Sequence, residues 1–165
     1  MVTNKIIQWI QWIAIIIGVL LLVFVWNTRG QDISLRDFLL PGTPVMKIGG
    51  IPLRVEIAQT DAERTQGLSN RDKLAEGTGL LFVFLEADYH SMWMKDMRFP
   101  IDIIWISEDL RVVTVSKGIT PDTFPKKFRP GRPAKYAVET NENYAETFGI
   151  REGQVVELPA LSIEK

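Results

Sequence analysis

From Ile6 to Trp26 the chain carries no charged side chain, and Gln8 and Gln11 near the beginning are its clearly polar interruptions. Such a run cannot lie on a water-facing surface; it must be enclosed on every side, by protein or by lipid. As a helix rising about 1.5 Å per residue it would span about 31 Å, close to the roughly 30 Å hydrocarbon core of a bilayer. Trp9 and Trp12 fall at one end and Trp26 at the other, where indole rings favour the interface between lipid and water. A buried core helix is the alternative, but a soluble domain rarely encloses so long a segment. The run predicts one N-terminal transmembrane helix over residues 6–26, after a short tail over 1–5.

A cleaved secretory signal competes with that reading, since Met1 to Lys5 is a short basic start. The apolar run exceeds the usual signal length, however, and Trp26-Asn27-Thr28-Arg29-Gly30 is a poor cleavage site. The chain is therefore read as an uncleaved signal anchor whose first partner is the lipid bilayer, through Ile6 to Trp26. Lys5 on one side faces Arg29 and Arg36 on the other, so charge sets the orientation weakly. The very short leading tail favours an exported bulk. The expectation is a single-pass membrane protein with an extracytoplasmic soluble domain.

Residues 27–44 read as a juxtamembrane linker punctuated by Gly30, Pro41, Gly42 and Pro44, with a short helix over Leu35 to Leu40. Residues 45–165 are enough for one hydrophobic core. Val45 to Ile48 and Ile51 to Ala58 flank Gly49-Gly50, the mark of a tight hairpin whose turn needs positive φ. Thr60-Asp61-Ala62-Glu63 is a capping box, predicting a short helix that stops near Gly67. Leu80 to Leu85, Ser91 to Met97, Ile101 to Ser107 and Leu110 to Lys117 read as strands, the last two joined at Glu108-Asp109. Gly118 to Pro133, with four prolines, reads as an ordered excursion. Tyr136 to Glu139 resumes strand, Asn141 caps a helix running through Phe148, and Gln154 to Leu158 closes as a strand. The fold class expected is mainly β, an antiparallel sandwich or barrel-like domain with two short helices.

Composition narrows the function classes. Lys plus Arg is 19 against 20 for Asp plus Glu, a net charge of -1, which argues against a nucleic-acid partner. The absence of cysteine excludes thiol nucleophiles, disulfides and thiolate metal sites, and a single histidine excludes multi-histidine metal centres. No cofactor or metal is expected. Ser69 and Ser91 lack a glycine elbow, and Gly77-x-Gly79 leads into a strand instead of following one, the wrong context for a dinucleotide fingerprint.

Several short motifs together resemble domain-of-unknown-function family 192: Glu63-Arg64, Gly67-Leu68, Arg71, Leu74, Gly79, Leu81-Phe82, Phe84, Trp93-Met94-Lys95 and Pro100-x-Asp102, continuing through Glu139, Gly149 and Gly153. The resemblance runs from about Gly50 to Leu158. It implies a compact β-rich fold, often in exported or membrane-anchored bacterial and archaeal proteins, and no established activity. This chain has Asp96-Met97 where Asn-Thr is common, Leu80 where Met is common, and Thr140-Asn141-Glu142-Asn143 in place of an apolar-Pro-Ala-Gly pattern.

The stretch from Ser91 to Ser107 holds the most chemistry. If Arg98, Phe99 and Pro100 form a hairpin loop, Asp96 sits opposite Asp102, and two close carboxylates would raise one pKa as acid–base catalysis uses. If Ile101 joins the loop, Met97 faces Asp102 and Lys95 becomes its diagonal neighbour, giving a structural ion pair. Arg64 and Arg71 could reach Asp102 or Glu139, bracing the fold or recognising an anion. Trp93 could stack on a sugar or another flat ligand, or simply pack. His90 reads as a surface or hydrogen-bonded histidine. Lys126, Lys127, Arg129, Arg132 and Lys135 form a basic cluster for anionic lipid or polysaccharide, with a solvated loop as the plain alternative.

No complete catalytic constellation can be assembled from these residues. The favoured function is a non-catalytic binding or accessory domain at the cell envelope, for a small or carbohydrate ligand or another envelope protein. The first rival is a hydrolase using Asp96 with Asp102 or Glu139, and the second is a structural partner domain.

Overall fold

A computed structural model describes residues 42–161. The anchor over Ile6 to Trp26, the helix over Leu35 to Leu40 and most of the linker lie outside those residues. Among the described residues no helix is long and apolar enough to cross a membrane. From Thr43 onward the chain forms one compact unit.

The first two strands, β1 (Val45–Ile48) and β2 (Ile51–Ala58), pair as the antiparallel hairpin expected. Gly49 and Gly50 take φ of 57° and 85° at its turn, a geometry that side chains with a Cβ resist. Next comes α1 (Asp61–Gln66), closed by both halves of the capping box. The Glu63 N–H donates to Thr60 Oγ1 at 3.2 Å, and the Thr60 N–H donates to Glu63 Oε2 at 2.9 Å. Then follow β3 (Thr78–Asp88), β4 (Met92–Trp93), β5 (Ile101–Ile106), β6 (Val112–Ile119), β7 (Lys127–Phe128), β8 (Ala134–Asn141), α2 (Tyr144–Thr147) and β9 (Val156–Glu157).

Seven of these strands make one curled sheet in the order β6-β5-β8-β3-β2-β1-β9. The sheet is mixed, which corrects the expectation of an antiparallel one: β2 and β3 run parallel. The helix between them is the reason, because a crossover carries the chain back to the same end of the sheet before β3 begins. The curl is a half-barrel whose edges meet at Arg111 and Val155. Backbone bonds from Gly153 N–H to Val112 O (2.8 Å) and from Val156 N–H to Leu110 O (2.9 Å) hold that seam.

The sheet buries apolar side chains on both faces. Met46, Ile48, Leu53, Val55, Leu81, Ile104, Ile106 and Val138 cluster with Tyr144 and Ala145 of α2 on one face. Leu80, Phe82, Ile101, Ile103, Trp105 and Ala137 cluster on the other, covered by Leu68, Leu74, Met92 and Met94. All six residues of β5 are buried, as a strand covered on both sides requires.

Two further expectations change. Ser91 to Met97 is not a strand beside β5: only Met92 and Trp93 pair, and their partner is Lys127–Phe128 of β7. Asp96 sits at φ 56°, a left-handed conformation that ends any extended run. Both hairpin registers considered for Arg98 to Ile101 therefore fall. Asn141 does not cap the second helix either. It ends β8, its side-chain amide donates to Leu74 O at 3.1 Å, and α2 begins after Asn143 at φ 65°.

Candidate binding cleft

A cleft of about 900 Å³ opens on the face that carries Phe82. One wall is the end of α1 and the turn from Gly67 to Asn70, which two bonds tie to the Lys95–Asp96 turn. The Ser69 hydroxyl donates to Lys95 O at 2.9 Å, and the Asn70 N–H donates to Asp96 O at 2.8 Å. The opposite wall is the outer half of β3 with His90, Met92 and Trp93, and Phe82 and Glu139 form the floor.

Glu139 is the unusual residue. It lies on β8 between Leu80 of β3 and Ile103 of β5, is 5% exposed, and its Oε2 has no hydrogen-bond partner among the described residues. Burial pushes its pKa up to about 8, against a smaller downward pull from the Arg71 guanidinium. At neutral pH the carboxyl is therefore protonated, and an unpaired polar atom in such a place carries a desolvation penalty of about 1–3 kcal/mol. Gly67 lets the turn pass close by: a Cβ there would lie 3.4 Å from Phe82 Cζ and 3.9 Å from Glu139 Oε2.

Asp102 belongs elsewhere. It pairs across the sheet with Thr140, next to the Ile103–Glu139 pair, so alternation sends the two carboxyl groups to opposite faces. Asp102 is fully buried. One oxygen accepts from the Gly118 N–H at 2.8 Å and the other from the Ala145 N–H at 2.9 Å. Gly118 is freed for this by an irregularity in the β5–β6 pairing, and Ala145 stands in the first turn of α2, whose own N-cap side chain makes no capping bond. Asp102 thus supplies the cap and has neither Asp96 nor Lys95 as a strand neighbour.

Both arginines brace the frame. Arg64 donates to Gln59 O (2.5 Å), Val83 O (2.8 Å) and Asp61 Oδ1 (2.5 Å), locking α1 to β3. Arg71 forms a two-pronged pair with Glu56, each bond 2.8 Å. The bonds from Arg71 hold Glu56 below the ordinary carboxylate range, and those to Glu56 raise Arg71 in return. Glu56 escaped the sequence reading because the solvent side of a strand gives no sign of which cation will cross to it. His90 stacks on Phe84 with ring centres 3.7 Å apart and shares a 2.9 Å hydrogen bond with Glu86 O.

The candidates that come together in the cleft are Trp93, Lys95, Asp96, Glu139, Arg64 and Lys127. Trp93 is half-exposed at the rim, edge-on to Phe124, with Lys127 Nζ 5.4 Å from its ring centre. The basic cluster divides. Lys135 pairs with Glu108 at 2.5 Å, while Lys126, Lys127 and Arg129 stay exposed.

Residues 45–158 match the model of DUF192, described as "Uncharacterized ACR". Among solved structures, the chain is similar to a protein of unknown function from Novosphingobium aromaticivorans DSM 12444, at 30% identity and a TM-score of 0.64 over 69% of this chain and 83% of that one. It is also similar to a "putative transcription regulator" from Sinorhizobium meliloti 1021, at 27% identity and a TM-score of 0.66 over 71% of this chain and 94% of that one. No curated protein matches.

Proposed function

This chain belongs to the DUF192 family, and on that premise we propose that it is a membrane-anchored envelope protein whose domain binds a small ligand without transforming it. One observation carries the reading: the partnerless oxygen of Glu139 on the floor of an aromatic-walled cleft. A protonated carboxyl offers an O–H donor, and burial makes that donor strong toward a ligand oxygen. Trp93, half-exposed at the rim, supplies flat apolar surface, and Phe82 and Phe84 line the cleft beneath it. The ligand class is a small ring-bearing molecule with an oxygen acceptor, which includes a sugar stacked on Trp93.

Catalysis is the weaker reading because burial favours the protonated form of Glu139, which suits a hydrogen-bond donor better than a base. Asp102 is turned to the opposite face. A hydrolase with Glu139 as acid and Asp96 as base remains the second reading, since both line the cleft. Thermal-shift measurements on the full-length protein, with N-acetylglucosamine and benzamide as probes, separate these outcomes. Stabilisation by either probe that fades as pH rises through 8 and is absent in Glu139→Leu supports the binding reading. No shift with either probe, or an equal shift in Glu139→Leu, overturns it. Turnover of a glycoside or amide that is abolished by Asp96→Asn overturns the non-catalytic part. For the anchor, the expected result is full-length protein retained in carbonate-washed membranes. Recovery in the soluble fraction, or a mature chain beginning past Trp26, defeats it.

A further inference from the structure

The fold sorts the basic cluster of the proline-rich excursion into two groups. Lys135 is taken up by Glu108. Arg132 stands near Asp109, whose carboxyl is held low first by the Ser107 hydroxyl and then, among weaker influences, by the Arg111 and Arg132 charges. Lys126, Lys127 and Arg129 are exposed and have no carboxylate partner among the described residues. Two of these cations lie over rings: Lys127 Nζ over Trp93, and Lys126 Nζ 5.0 Å from the centre of Phe128.

Beside them the surface is apolar. Trp93 and Phe124 touch edge to face with centres 5.8 Å apart, yet each is 45% exposed. The pairing of Met92 with Phe128 and of Trp93 with Lys127 ties the two halves of this patch into one small sheet.

Water alone gives no return for large apolar rings held on a surface. A polysaccharide would use the face of Trp93 but has no comparable use for an edge-on Phe124. The boundary between anionic headgroups and acyl chains takes all three kinds of group: cations at the phosphates, indole at the interface, and apolar tips just below. We propose that this patch docks on an anionic bilayer surface, with Lys126, Lys127 and Arg129 at lipid phosphates and Trp93 and Phe124 at headgroup depth. Docking here requires neither the cleft ligand nor the N-terminal anchor.

The chain has no cysteine, so Thr123→Cys in the full-length protein takes a single environment-sensitive fluorophore beside the patch. That protein is combined with phosphatidylcholine vesicles, with or without phosphatidylglycerol. The expected result is a blue shift, with quenching by brominated lipid, only where phosphatidylglycerol is present and reversed by high salt. Lys126→Glu with Arg129→Glu changes two cations outside the cleft lining. At about fivefold for each cation near an anionic surface, the ratio of docked to undocked protein should fall at least about thirtyfold. Phe124→Ser should weaken docking without removing its dependence on phosphatidylglycerol. Circular dichroism verifies that both variants are folded. A signal indifferent to phosphatidylglycerol, or unchanged in the double variant, overturns the proposal, whatever the cleft binds.

Discussion

Glu139 and Asp102 are neighbours in the sheet register and opposites in chemistry. Glu139 has a raised pKa because folding strips water from it and leaves one oxygen bare, whereas Asp102 receives two backbone amides. For Glu139 the folded value of about 8 exceeds the ordinary glutamate value of 4.5, so folding takes up a proton between those limits. Stability should therefore fall as pH rises from about 4.5 to about 8 and level off above. Glu139→Gln should flatten that decline, changing the wild-type-to-variant difference by on the order of 3–5 kcal/mol across the window, as read from urea melts at several pH values. Asp102→Asn behaves differently. Its amide nitrogen would meet a backbone N–H, giving a loss of about 2–4 kcal/mol in the same melts. Probe binding in the cleft should not change.

At the scale of elements, what is local in sequence is what could be read from it. The Gly49-Gly50 turn and the Thr60–Glu63 box each need residues a few positions apart, and both form as expected. Thr60→Ala should lower stability by about 1 kcal/mol in a thermal melt through loss of the cap. Gly67 ends that helix at φ 50° and ψ -134°, a region open to glycine almost alone. Gly67→Ala should cost about 1–3 kcal/mol and disturb the Phe82–Glu139 floor, visible as weaker probe binding. The misreadings share a cause. Ser91 to Met97 alternates like a strand, but its partner, β7, lies far along the chain beyond β5 and β6. Asn141 has the residue type of a cap, yet its β8 backbone is already committed to the ladder, and its amide is used by Leu74 and Ala75.

In the whole molecule, β5, β8, β3, β2 and β1 lie inside the sheet, each between two neighbours, and β6 and β9 are its rims. Central strands with both neighbours in place open only when the sheet itself opens, whereas the seam between Leu110–Val112 and Gly153–Val156 depends on a few bonds at one end. Hydrogen exchange should show this directly. Amides of Ile103, Ile104 and Val138 should exchange only by global unfolding, while those of Val112, Gly153 and Val156 should exchange at lower free energy. Equal protection across both groups would mean that the seam is as firm as the sheet.

The sequence by itself determined that this is a β-rich chain with a turn at Gly49-Gly50, a capped helix at Thr60 and the residues of a known family, because those signals are written in neighbouring side chains. Tertiary structure alone decided that β2 and β3 run parallel, that β4 leaves β5 for β7, and that Glu139 and Asp102 stand on opposite faces. Those outcomes depend on which distant strands meet and in which register. A shift of one residue reverses every side chain of a strand, and no local pattern records that choice.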